Sequence, residues 1–106
     1  MPQISIPIFP LNGVIVFPGC SLPLNIFEKK YVDMIDYALS NNRLIGMIQS
    51  DEKGHLYNTG CLGKIKSFDE TDDGRYVVSL VGQSFYSVIK EIKTKHMFRL
   101  ANVDII

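Results

Sequence analysis

Apolar and polar positions change period several times along the chain, and each change predicts an element. Ile4-Ser5-Ile6-Pro7-Ile8-Phe9 alternates, with Ile4, Ile6 and Ile8 on one side, which predicts a strand. Pro7 and Pro10 cannot donate ladder hydrogen bonds, so this strand is expected at a sheet edge or to stop early. Asn12-Gly13 signals a turn and Val14-Ile15-Val16-Phe17 is a short apolar run. Pro18-Gly19 signals a second turn before the proline-marked strand Leu22-Pro23-Leu24-Asn25-Ile26. Over 28–40 the period becomes helical: Tyr31, Met34, Ile35, Ala38 and Leu39 form one apolar stripe, with Glu28, Lys29, Lys30, Asp33 and Asp36 opposite it. Glu28 is expected in the first turn, where it suits the helix dipole, and Asn41-Asn42 at a left-handed exit.

Beyond the helix the strand pattern returns. Leu44-Ile45-Gly46-Met47-Ile48 reads as a short buried strand and 50–54 as a polar loop. Segments 61–68 and 75–81 flank the acidic stretch 69–74 as a hairpin, Gly82-Gln83 reads as a bend, and 85–92 and 98–105 complete the set. Gly60, Gly63 and Gly82 within or beside strands predict bulges or corners. The expected fold is mainly β (α+β), a pseudo-barrel of six to seven short strands with one principal helix within 28–40.

The 106 residues, 46% of them hydrophobic, suffice for one core, so one domain is expected. Eleven Lys and Arg balance eleven Asp and Glu, whereas a dedicated nucleic-acid binder carries a basic surplus. No apolar run approaches the roughly 20 residues of a membrane span. Met1-Pro2-Gln3-Ile4 lacks the features of a secretory signal, and Cys20 and Cys61 are too few for a disulfide framework. The cytoplasm is the expected location.

Catalytic patterns are missing. The chain has no phosphate loop, no G-x-S-x-G elbow and no H-E-x-x-H helix. Asp69-Glu70-Thr71-Asp72-Asp73-Gly74 opens like a calcium loop, but Leu80 stands where the bidentate Glu belongs, so an acidic hairpin tip with Gly74 at positive φ is expected. His55, His96, Cys20 and Cys61 fall at no zinc spacing. Lys90, Lys93, Lys95, His96 and Arg99 are the one basic concentration; with Phe98 and Tyr86 nearby they offer an RNA-contact reading, set against a solvated strand face. No catalytic residue, metal or cofactor is expected.

Three linked motifs carry a resemblance. Pro7-Ile8-Phe9-Pro10-Leu11, Val14-Ile15-Val16-Phe17-Pro18-Gly19 and Leu22-Pro23-Leu24-Asn25-Ile26-Phe27-Glu28 with Tyr31 resemble the P-x-F-P-L, V-x-F-P-G and L-P-L-x-I-F-E-x-x-Y signature of the N-terminal, LON substrate-binding domain of ATP-dependent Lon proteases. Gly60-Cys61-Leu62-Gly63-Lys64-Ile65, Asp73-Gly74-Arg75 and Gly82-Gln83-Ser84-Phe85 are similar to later segments of that family. Lys30 and Ser84 replace arginines common there, and Cys61 and Leu62 depart from the usual pattern. The resemblance implies a PUA-like pseudo-barrel and, since no phosphate loop is present, a standalone Lon-like substrate-binding protein without the ATPase and Ser–Lys protease domains. The apolar end Asp104-Ile105-Ile106 leads to the expectation that 1–106 is the barrel subdomain alone, without the helical subdomain that follows it in the family.

The function expected is non-catalytic capture of unfolded or misfolded polypeptide in protein quality control, with a PUA-like RNA-binding module as the alternative. A protease or ATPase partner fits this reading, a membrane does not, nucleic acid is disfavoured, and a homodimer is left open. The proline-broken segment provides the expected peptide-binding residues: Ile15, Phe17, Pro18, Leu22 and Pro23.

Overall fold

The computed structural model of the chain describes residues 3–13 and 16–106. The elements run β1 (Gln3–Pro10), β2 (Ser21–Ile26), α1 (Lys29–Leu39), β3 (Leu44–Ile48), β4 (Thr59–Glu70), β5 (Tyr76–Ile92) and β6 (Arg99–Ile105). The six strands form one sheet in the order β2-β5-β4-β3-β1-β6, and β6 also pairs with β5, so five of them close into a ring. Every pairing is antiparallel except β1 with β3. The mainly β, ring-like architecture with one principal helix is the one expected from the pattern.

Two apolar clusters explain how the ring is held. One joins Ile6 and Ile8 of β1 to Leu62, Tyr86, Ala101 and Val103. The other joins Phe9, Ile45, Met47, Ile65, Val78 and Leu80 to the helix residues Met34, Ile35 and Ala38. Neighbouring residues of β1 thus bury opposite faces, which is why Ile6, Pro7, Ile8 and Phe9 are all buried. The helix stripe is the predicted one: Met34, Ile35 and Ala38 are fully enclosed. Burying an Ile or Met side chain contributes about 1.5–3 kcal/mol.

Four local expectations are corrected. β1 is not an edge strand: it lies between β3 and β6, and Pro7 is accommodated because the β3 ladder begins only at Ile8. Glu28 is the N-cap, with extended backbone and no side-chain capping bond, so it does not enter the first turn. The positive φ after the helix falls on Arg43 (63°), not on Asn41 or Asn42. Asn41 instead uses its side-chain amide to donate to the Tyr37 carbonyl at 2.7 Å. Finally, β5 runs straight through Gly82-Gln83, and a register shift against β4 between Leu62 and Gly63 absorbs the irregularity. Gly74 has the positive φ expected at the hairpin tip, 83°.

Tyr76 ties this hairpin to the helix by donating a hydrogen bond to the Asp36 carboxylate at 2.5 Å. That bond, then burial, then the negative charges of Asp36 and Glu70 push the phenol up from 10.0 to about 12. A phenol whose folded pKa is raised contributes stability that is complete below pH 10 and lost as pH climbs through about 12. Alkaline denaturation should therefore show a step in that window, and Tyr76→Phe should flatten it.

Candidate substrate-binding groove

Phe17-Pro18-Gly19-Cys20 folds as a tight turn whose Cys20 N–H donates to the Phe17 carbonyl at 3.1 Å, with Gly19 at φ 89°. Proline second and a positive-φ glycine third are what a type II turn requires. Gly19 N–H then donates to the Gly82 carbonyl at 2.8 Å, and Gly82 N–H donates to the Cys20 carbonyl at 2.9 Å. This is a glycine-led β-bulge that pins the turn onto β5. It works because residue 82 has no side chain: a Cβ there would stand 2.4 Å from the Phe17 carbonyl oxygen.

The pinned turn holds the Phe17 ring edge-on to Phe85, centroids 6.3 Å apart. Beside this pair lies an open groove of about 150 Å³, lined by Leu11, Val16, Met47, Ile48, Gln49, Tyr57, Thr59, Gly60, Cys61 and Phe85. Phe17 and Tyr57 are each 53% exposed and Phe85 39%, so three aromatic rings stand at or near the rim of an apolar floor. Burial, and secondarily the neighbouring Cys20, push the Cys61 thiol up from its ordinary value, which keeps that floor uncharged. Among the described residues, none that lines the groove is acidic or basic. An apolar cavity of roughly 150 Å³ accepts a benzene-sized guest, so one large apolar side chain matches the space.

The expected binding residues are divided by the structure. Phe17 and Pro18 form the turn beside the groove. Leu22 is half-buried against the helix-side cluster, and Pro23 is exposed on β2; neither lines the groove. Ile15 lies outside the described residues. Because Gly82 bonds to Cys20, strict alternation directs the backbone groups of Leu22, Leu24 and Ile26 to β5 and those of Ser21, Pro23 and Asn25 to the free edge. Pro23 thus removes a donor from that edge, a protection against strand addition. Leu11, Tyr57 and Phe85 are not among the expected binding residues; they converge on the groove from three separate segments.

The basic stretch lacks open aromatic faces. Tyr86 is fully buried, with its hydroxyl donating to the Met47 carbonyl at 3.1 Å, and Phe98 is buried under His96, which stacks on it at 4.6 Å. Burial also drives the Tyr86 phenol far up. Among the described residues, no three His, Cys, Asp or Glu side chains gather as metal ligands would. No helix among them is long and apolar enough to cross a membrane.

Comparison with known proteins places the chain in a family. The model of the ATP-dependent protease La (LON) substrate-binding domain matches residues 5–106. The Lon protease of Parabacteroides distasonis is 33% identical over 91 residues, covering 79% of this chain and 11% of that protein. The Lon protease of Buchnera aphidicola subsp. Schizaphis graminum is 28% identical over 111 residues, covering 98% of this chain and 14% of that protein. The chain therefore spans only a small part of the length of these curated relatives. The crystal structure of a Lon N-terminal domain protein from Xanthomonas campestris superposes with a TM-score of 0.80 at 24% identity, over 96% of this chain and 59% of that one. The N-terminal domain of the Mycobacterium avium complex Lon protease gives 0.77 at 16% identity, over 97% and 55%. At those identities the structural likeness concerns the fold, while the family match runs through nearly every residue described above: this chain belongs to the LON substrate-binding domain family.

Proposed function

We propose that the chain is a non-catalytic module that captures unfolded or misfolded polypeptide by seating one large apolar side chain in the groove beside Phe17 and Phe85. The observation that carries this reading is the uncharged, aromatic-rimmed groove on a member of a substrate-binding family. A charged side chain would lose hydration there without meeting an opposite charge, whereas Leu, Met or Phe would exchange water for apolar contact. We also infer that residues 1–106 correspond to the strand-rich subdomain of the Lon N-terminal region, and that any protease activity belongs to a partner or to other parts of a longer assembly.

One side chain in one groove buries little area, so micromolar or weaker affinity is expected. Burial of apolar surface is not screened as charge contacts are, so binding should persist from low to high salt. Fluorescence anisotropy with a labelled, permanently unfolded polypeptide tests this. Phe17→Ser and Phe85→Ser should each weaken binding by about tenfold, with the circular dichroism spectrum unchanged; tenfold corresponds to about 1.4 kcal/mol. Binding that collapses at moderate salt, or that prefers RNA to polypeptide, would contradict the reading. Leu22→Ser is a poor probe of the site, because Leu22 packs on the helix-side cluster and its loss reports on the fold.

A further inference from the structure

We propose that Tyr86 is the positioning residue of the groove: its hydroxyl ties β5 to β3 beside the opening and so fixes how far apart the two walls stand. This rests on the reading of the groove as the polypeptide site and adds the group that sets its width. The β3–β4 ladder ends at the pair Met47 and Cys61. The groove lies at and beyond that end, with Met47, Ile48 and Gln49 on one wall and Thr59, Gly60 and Cys61 on the other. The second wall stays on β5, where Thr59 pairs with Ser87 and Gly60 with Tyr86. The first belongs to β3, which pairs with β1 and β4 but not with β5. Past the end of the ladder, the connecting loop contributes a bond across the opening, from the Tyr57 N–H to the Gln49 carbonyl at 3.0 Å.

The Tyr86 hydroxyl joins the two walls at the root of this opening. Successive strand residues point to opposite faces, so Phe85 lines the groove while the Tyr86 ring lies among Ile6, Ile8, Leu62, Ala101 and Val103. Its hydroxyl passes beside Gly60 and donates to the Met47 carbonyl at 3.1 Å. Two glycines on different strands make room for that one oxygen. A Cβ at Gly60 would stand on the Met47 carbonyl oxygen and 2.6 Å from the Tyr86 hydroxyl, and a Cβ at Gly46 would be 2.8 Å from the same hydroxyl. Apolar packing alone does not call for this arrangement, since phenylalanine would fill the ring's place in an apolar cluster and bring no donor to satisfy. Burial drives the phenol far up, so it remains a donor. Walls held in place before a ligand arrives need not be ordered when it binds, which favours affinity.

The test compares Tyr86→Phe with Val78→Ala, a control that opens a cavity in the helix-side cluster at a residue that does not line the groove. Both are measured at a temperature where circular dichroism shows them fully folded, so a loss of stability by itself moves neither readout. In the free proteins, the Tyr57 amide should exchange its hydrogen about tenfold faster in Tyr86→Phe than in Val78→Ala, because the opening it spans has lost its brace. Affinity for a labelled, uncharged peptide with one central Leu should fall about tenfold in Tyr86→Phe and less than about twofold in Val78→Ala. Wild-type affinity in Tyr86→Phe, equal losses in the two variants, or unchanged exchange at Tyr57 overturns the proposal. A wild-type chain that binds no such peptide would instead overturn the capture reading, and the exchange rates would still decide whether Tyr86 fixes the opening.

Discussion

Ile35→Asp should leave the domain unfolded at room temperature. Ile35 is fully buried on α1, inside the cluster that joins the helix to β1, β3, β4 and β5. The substitution removes a large apolar side chain and puts a carboxylate where the cluster contains no cation. Losing the buried aliphatic group costs about 2–5 kcal/mol, and burying an unpaired polar group adds to that. A domain of this size has a total stability of about 5–15 kcal/mol, so the sum approaches or exceeds what is available. Ile35→Val removes one methylene and should cost only about 0.5–1.5 kcal/mol. Thermal denaturation followed by circular dichroism separates the cases: a melting transition for the Asp variant close to wild type would show that the helix stripe does not anchor the ring.

Gly82→Ala should weaken binding in a chain that still folds. Its Cβ would lie 2.4 Å from the Phe17 carbonyl oxygen and 3.1 Å from the Cys61 sulfur. A backbone atom cannot yield as a flexible side-chain tip does, so the 17–20 turn must lift from β5. Overpacking of this kind costs about 1–3 kcal/mol, which a stable ring survives with a lower melting temperature. The displaced turn carries Phe17 away from Phe85 and opens one side of the groove. Polypeptide affinity should then fall at least as far as in Phe17→Ser, on a chain that still melts cooperatively. Full affinity in a folded Gly82→Ala protein would show that the pinned turn is not part of the site.

What the sequence disclosed follows from which signals are local. The helix was legible because Met34, Ile35 and Ala38 repeat at its own period, and the β4–β5 tip because Gly74 ends an acidic, turn-forming run. Pro7 misled because its missing N–H is a local fact, while the neighbour that spares it, β3 beginning opposite Ile8, is a tertiary one. Gly82 was read as a bend for the same reason: what requires it is the Phe17 carbonyl more than sixty residues away. The groove was half legible. Phe17 and Pro18 stood out in a proline-broken apolar run, but Leu11, Tyr57 and Phe85 belong to segments with no shared period and meet only once the ring closes. Tyr86 and Phe98 looked available to a ligand because nothing in the chain around them reveals that both are enclosed.

The most direct test of the central claim is to map backbone amide chemical shifts while an extended, uncharged peptide with one central Phe or Leu is titrated into the isotopically labelled chain. The account predicts fast-exchange shifts confined to residues 16–20, 57–61 and 82–86, saturating together and unchanged by added salt, with an Asp-substituted control peptide producing none. Shifts concentrated at 93–99, or on the free edge of β2, or no shifts at peptide concentrations well into the millimolar range, would contradict it.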